Sequence, residues 1–173
     1  MIIQRRWALP NSRTFTVAPI KRTIEKYYSP DLVCINPFAN ESEYGITNDL
    51  NPKFNCDYNL EATDFLKLFK PKTVDLVLYD PPYTPRQLKE MYENITGGTN
   101  VLDTKASYWS EQKDLISDMV KPNGIVISCG YDSNGIGKGR GFEMLEILIV
   151  AHGGKHNDTI VTVEQKINQT TLI

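Results

Sequence analysis

The chain's periodicity predicts a doubly wound α/β fold with a mostly parallel sheet and a carboxy-terminal antiparallel hairpin. Three observations carry that prediction. The short continuous apolar runs Asp31-Leu-Val-Cys-Ile-Asn36, Val74-Asp-Leu-Val-Leu-Tyr79 and Ile125-Val-Ile-Ser-Cys129 have the length and composition of strands buried on both faces. Segments of helical spacing alternate with them, as a parallel sheet requires. Two longer β-rich runs, Phe142 to Ala151 and Thr159 to Lys166, flank His152-Gly-Gly-Lys-His-Asn-Asp158 in the manner of a hairpin.

In chain order, Pro19 to Tyr28 is the first helix, with proline at its start and Ile20, Ile24, Tyr27 and Tyr28 on one face. Asp31 to Asn36 is a strand ended by Pro37, and Gly45 to Leu50 is the next, ended by Asn51-Pro52. The interval from Phe38 to Tyr44 is too short for an ordinary parallel crossover, so a shortened one is expected. A short third strand is expected near Tyr58 to Leu60. Asp64 to Phe69 reads as a short helix capped by Asp64 and stopped at Pro71. It leads into the strand from Val74 to Tyr79. Pro85 to Asn94 and Ser107 to Val120 have helical spacing, with Gly97-Gly98 breaking the chain between them. Lys121-Pro-Asn-Gly124 then reads as a turn before the Ile125 strand.

With 173 residues, 40% of them hydrophobic, the chain is long enough for one domain spanning 1–173 and leaves no room for a separate recognition domain. A net charge of −2 excludes a global basic field, so any nucleic-acid contact must be local. Cys34, Cys56 and Cys129 are too scattered for a disulfide frame or a zinc site and read as buried thiols of a cytoplasmic protein. The apolar stretch at Met144 to Ala151 is interrupted by Glu146 and falls well short of a membrane span. Met1 to Arg6 is followed by no apolar core of a secretory leader.

The most informative segment is Asp80-Pro81-Pro82-Tyr83, at the carboxyl end of a strand, where open α/β sheets bind their ligands. Two prolines cannot donate to a ladder and fix φ near −65°, so the strand stops and the carbonyls there are held in a set direction. A carboxylate, stiff carbonyls and an aromatic ring converge. Asn36, Asp49 and Asp64 add polar groups beyond the other strand ends.

This constellation, with Asn36-Pro37-Phe38-Ala39-Asn40 after the first strand and Asn48-Asp49 after the next, resembles the S-adenosylmethionine-dependent amino-methyltransferases. The nearest likeness is to the small phage and mobile-element proteins described as DNA N6-adenine methyltransferases, and it runs from about Trp7 to Lys166. The resemblance implies a Rossmann-like class I methyltransferase fold and S-adenosyl-L-methionine as cofactor. It implies that Asp80 and the Pro81 carbonyl accept the amine hydrogens of adenine, with Pro82 rigid beside them and Tyr83 stacked on the base. In duplex DNA that base must be extruded. By the same resemblance Asp49 accepts the ribose hydroxyls, Asp64 accepts from the cofactor's adenine amine, and Asn36, Pro37, Phe38, Ala39 and Asn40 line its methionine end. Thr14 and Phe15, within Asn11 to Phe15, are the amino-terminal contribution. The chain departs from the family's glycine-rich turn after the first strand: Phe38 to Gly45 has glycine only at its far end.

Each assignment has an ordinary structural alternative. Asp49 reads equally as a solvated strand end and Asp64 as a helix cap. Arg86, Lys89, Lys138 and Arg140 read as phosphate contacts or as solvated charges, the last two in a glycine-rich loop whose amides could cradle phosphate. Trp7 and Trp109 read as packing anchors, and His152 and His156 lack a close third ligand, so no metal site is expected. For function, the alternatives to DNA are an RNA base amino-methyltransferase and a non-catalytic, partner-dependent nucleic-acid-binding subunit. A homodimer or a specificity partner would enlarge the grip on a duplex.

Overall fold

The structure is a computed structural model and describes residues 1–96 and 107–168. The Gly97-Gly98 break lies outside them. The chain runs β1 (Ile2–Trp7), α1 (Ala18–Tyr27), β2 (Cys34–Asn36), β3 (Ile46–Thr47), α2 (Ala62–Leu66), β4 (Val74–Tyr79), α3 (Pro85–Thr96), α4 (Ser107–Met119), β5 (Val120–Gly130), β6 (Phe142–Ala151) and β7 (Thr159–Lys166).

These strands form one sheet in the order β1-β6-β7-β5-β4-β2-β3. The pairs β1/β6, β2/β3, β2/β4 and β4/β5 are parallel, and β7 runs antiparallel to both β5 and β6. The doubly wound, mostly parallel sheet with its terminal hairpin is therefore present. All strands except β7 point the same way, so Trp7, Asn36, Thr47, Tyr79, Gly130 and Ala151 end on one rim.

Strand β4 shows why its sequence is continuously apolar. Leu76 and Leu78 pack on the α1 side with Ile20, Ile24 and Val163, whereas Val77 and Tyr79 pack on the α4 side with Phe65, Ile116 and Val126. Alternate side chains enter opposite layers, and both layers are covered.

Several expectations are corrected. Strand β1 was not anticipated; it is a largely exposed edge strand, and Trp7, read as a packing anchor, is 66% exposed on it. Glu61, not Asp64, caps α2: its carboxylate accepts from the Thr63 N–H, and Asp64 lies in the first turn. The strand near Tyr58 is reduced to a single parallel bridge between Asn48 and Tyr58. Residues 121–124 bulge within β5, between the pairs Val74/Val120 and Leu76/Ile125, with Asn123 at φ 65°. Cys56 is half-buried rather than buried. The β2 to β3 connection crosses without a helix, as its length required.

Candidate active site

On the shared rim, beyond the ends of β2, β3 and β4, lies a cleft of about 730 Å³. The segment 11–16, the loop after β2, Asp49 and residues 80–83 line it. Its volume is that of a small-molecule site, usually about 300–1,000 Å³.

The stiff end of β4 is fastened from several sides. The Tyr83 N–H donates to Gln87 Oε1 (2.7 Å), and Gln87 Nε2 donates to the Tyr131 hydroxyl (3.3 Å). Trp109 Nε1 donates to the Pro82 carbonyl (2.9 Å), which gives Trp109 a positioning contact on the loop. The Tyr83 hydroxyl donates to Asp80 Oδ1 (2.5 Å), while its ring meets Tyr131 edge-on with centroids 4.7 Å apart. Burial raises the Asp80 carboxyl above its ordinary value, and hydrogen bonds from Tyr83 and Thr14 partly offset that rise. Burial also pushes the Tyr83 phenol well up, as does the neighbouring Asp80 charge, so Tyr83 stays a donor.

The loop after β2 solves the problem of the missing glycine. Asn40 takes the left-handed conformation at φ 52°, which asparagine tolerates better than most residues, and its N–H donates to Asp49 Oδ2 (2.9 Å). The other Asp49 oxygen accepts from the Asn51 N–H (2.9 Å). Burial raises Asp49 and these two bonds partly lower it. Asp49 is thus a half-buried tie between two loops that also lines the cleft. Gly45 closes the loop at φ 71°, where a Cβ would stand 2.4 Å from the Cys34 carbonyl oxygen, so only glycine fits.

The cleft brings together Thr14, Phe15, Phe38, Ala39, Asn40, Asp49 and Asp80 to Tyr83 from the predicted set. Asn36 and Pro37 are not among its lining residues; Asn36 is buried and donates to Ser42 Oγ (3.2 Å), and the Pro37 carbonyl accepts from Asn48 Nδ2 (3.1 Å). Asp64 lies exposed on α2, outside the cleft. Arg86 and Lys89 pair with Glu90 and Glu93 on the exposed face of α3. Arg140 is held by Asp114 (2.6 Å) and Ser110 (3.0 Å) of α4, and Lys138 is exposed. The amides of Ile136 and Gly137 donate inward to the Glu164 carboxylate (2.6 and 3.0 Å), so they do not face an outside phosphate. His152 bridges the Ala8 carbonyl and the Thr159 hydroxyl, each at 2.9 Å, and among the described residues no cluster of metal-ligating side chains occurs.

Sequence reasoning missed Gln87, Tyr131 and the turn-forming role of Asn40. A second cavity of about 280 Å³ lies across the Pro81–Tyr83 loop, under Trp109, Lys113 and Tyr131. Its polar lining, Ser128 and Thr162, was also missed, although a polar residue inside each of two buried strands was a signal.

No family model matches the chain, and no curated protein matches it. Solved structures do. The chain resembles a SAM-dependent methyltransferase from Methanosarcina mazei (9% identity, 85% of this chain and 98% of that one, TM-score 0.55). It resembles the 1,6-didemethyltoxoflavin-N1-methyltransferase of Burkholderia thailandensis, solved with S-adenosylhomocysteine (10% identity, 87% and 77% coverage, TM-score 0.58). TrmN from Thermus thermophilus is a third likeness (15% identity, TM-score 0.56), with 88% of this chain covering 49% of TrmN, so the chain spans about half its length. The fold is therefore the Rossmann-like fold of methyltransferases.

The residues present fit S-adenosylmethionine. Asp49, Asp80, Glu41 and Glu43 outnumber Arg13 and Lys21 in the cleft, an excess suited to a sulfonium cation, and Tyr28, Phe38 and Tyr44 supply aromatic surface.

Proposed function

We propose that the chain transfers a methyl group from S-adenosylmethionine to the exocyclic N6 amine of adenine in DNA. The observation that carries this reading is the placement of Asp80 and the stiff Pro81-Pro82 pair in one cleft with Asp49 and the Asn40 turn. Asp49 and the loop from Phe38 to Tyr44 would hold the cofactor. Bound there, S-adenosylmethionine would supply a methyl group already activated by its positive sulfur.

The chain's own task is then to present the amine. An adenine amine is a weak nucleophile because its lone pair is delocalised into the ring, so it needs acceptors fixed before reaction rather than a strong base. Hydrogen bonds from Tyr83 and Thr14 favour the ionised Asp80 carboxylate against the burial that raises it, and orient it. Asp80 and the Pro81 carbonyl each accept one amine hydrogen, which turns the nitrogen lone pair toward the cleft. Asp80 then receives the proton that the methylated nitrogen gives up.

The charge distribution supports a polyanionic acceptor. Arg5, Arg6, Arg13, Lys21 and Arg22 lie in the first 24 residues, where no acid occurs, and all 21 Asp and Glu residues follow. In this stretch Arg13 is paired with Glu41 and Lys21 with Glu25, and Arg5 and Arg6 are exposed on β1, where they would be free to meet a phosphate backbone. Transfer of labelled methyl from S-adenosylmethionine to duplex DNA, single-stranded DNA and RNA, in parallel, tests the reading. Label in adenine of DNA supports it; label confined to RNA replaces DNA with RNA; label in no polymer, with the cofactor bound, removes the enzymatic reading.

A further inference from the structure

Strand β1 ends the sheet order, so among the described residues no strand stands on its outer side. The Ala8 N–H donates to the Ala151 carbonyl (3.1 Å), and alternate residues of a strand send their main-chain groups to the same side. Gln4 and Arg6 therefore face β6, whereas the N–H and C=O groups of Ile3, Arg5 and Trp7 face outward. Arg5 shows this phase: its carbonyl accepts from the adjacent Arg6 guanidinium (3.2 Å). Residues 2–7 keep an unbroken register with β6 and contain no proline, so the edge has neither the bulge nor the missing donor that prevents pairing.

The side chains of this edge are apolar on both faces. Ile2 is 52% exposed, Ile3 61% and Trp7 66%. Gln4 and Arg6 lie on the α1 side with their β6 partners Leu148 and Val150, and Ile3 and Arg5 lie on the other side beside the half-buried Ile147 and Ile149. The order of residue types then selects an occupant. Outward from Gln4, one direction reads Ile3, Ile2, Met1 and the other Arg5, Arg6, Trp7. A two-fold axis through Gln4, perpendicular to the sheet, sets a second copy antiparallel with Ile3 opposite Arg5, Ile2 opposite Arg6 and Met1 opposite Trp7. Each isoleucine meets the aliphatic stem of an arginine whose head stays in water, and Met1 meets the indole. Opposed side chains share a face, so an axis of this kind must pass through a residue. An axis through Arg5 or Arg6 sets that arginine against itself, and one through Ile3 leaves Arg6 and Trp7 without partners.

We infer that the chain forms a two-fold homodimer by antiparallel pairing of β1 with β1 of a second copy, in the register centred on Gln4. The Ile3–Arg5 pairs are those whose main-chain groups face outward, so they close the ladder hydrogen bonds, and Gln4 faces Gln4 in a pair without them. The two sheets become one, with the clefts open at its opposite ends. So short a strand pair is smaller than the roughly 800 Å² per partner of a standard interface, and association is expected in the micromolar range.

Sedimentation equilibrium of the untagged chain between about 1 and about 200 μM tests this, and a reversible monomer–dimer equilibrium is expected. Ile3 is exposed, so its variants leave the core intact. Ile3→Lys sets like charges opposite each other and should weaken the dimer about tenfold, whereas Ile3→Glu faces Arg5 of the second copy and should tighten it at least about threefold. Gln4→Cys should cross-link to itself on mild oxidation, because facing Cα atoms of such a pair lie about 4.5 Å apart. Ile3→Cys and Arg5→Cys should cross-link when mixed and not singly, with the parent as control for the native cysteines. A chain that stays monomeric throughout, with Gln4→Cys not cross-linked, overturns the proposal. A monomer that binds a synthetic peptide of alternating glutamate and valine at β1 also overturns it, assigning the edge to an acidic foreign strand. A dimer indifferent to both Ile3 variants overturns it by placing association on another surface.

Discussion

The Tyr83 hydroxyl donates to Asp80 Oδ1 over 2.5 Å, and that bond favours the charged carboxylate against the burial that raises its pKa. The ionised form is the acceptor, so transfer should fall as pH drops through a value above the ordinary carboxylate of about 4. Tyr83→Phe removes a bond to the charged form and should move the acid limb of the kcat/KM profile further up. It should also lower the rate at neutral pH roughly tenfold, the worth of one hydrogen bond to a charged group. An acid limb at the same pH in both proteins would contradict this role.

Stability should respond to pH in a direction set by three carboxyls. Burial raises Asp49, Asp80 and Glu164 above their unfolded values, so the folded state prefers them protonated. Their contribution is fully present below about pH 4 and is lost as pH rises through the raised values. The urea midpoint should therefore be higher near pH 5 than near pH 7.5, and Glu164→Gln should flatten that slope. A midpoint that falls on the same acidification would show that other groups dominate.

Asn40 does a glycine's work at φ 52° and passes its N–H to Asp49. Asn40→Gly should leave stability within about 1 kcal/mol, whereas Asn40→Val should cost at least about 1–2 kcal/mol, because a β-branched residue is strained in that conformation. S-adenosylhomocysteine titrated by calorimetry should bind the glycine variant nearly as well as the parent and the valine variant much more weakly.

The exposed arginines of β1 make a separate prediction. Arg5 and Arg6 point to opposite faces of β1, so Arg5→Glu and Arg6→Glu made singly should differ: the one that faces DNA should weaken binding and reduce the slope of log affinity against log salt by about 1. Anisotropy titrations between low and physiological salt measure it. An unchanged slope would place the contact elsewhere.

How far the sequence discloses this molecule depends on how local each cause is. Strand β4 and its rigid end were legible because a buried strand needs an uninterrupted apolar run and two prolines must stop it. The terminal hairpin was legible by its length and its Gly-Gly turn. Strand β1 was not, because Ile-Ile-Gln-Arg-Arg-Trp becomes a strand only through pairing with β6, far away in sequence. The cap of α2 was misassigned because aspartate is the stronger capping type, yet Glu61 is the residue whose carboxylate reaches the Thr63 N–H. Asn40 was hidden because a positive φ at asparagine leaves no mark comparable with glycine. Ser128 and Thr162 become a pair only once β5 and β7 set their register.

The cleft at the end of β4 is proposed to present an adenine amine for methylation through Asp80. The most direct test is nucleoside analysis by mass spectrometry after incubation of DNA with S-adenosylmethionine and either the parent chain or Asp80→Ala, with both proteins shown to be folded and to bind S-adenosylhomocysteine. The parent should yield N6-methyldeoxyadenosine, and the variant at least about a hundredfold less. Equal yield from the two proteins, or methylation of another base, would contradict it.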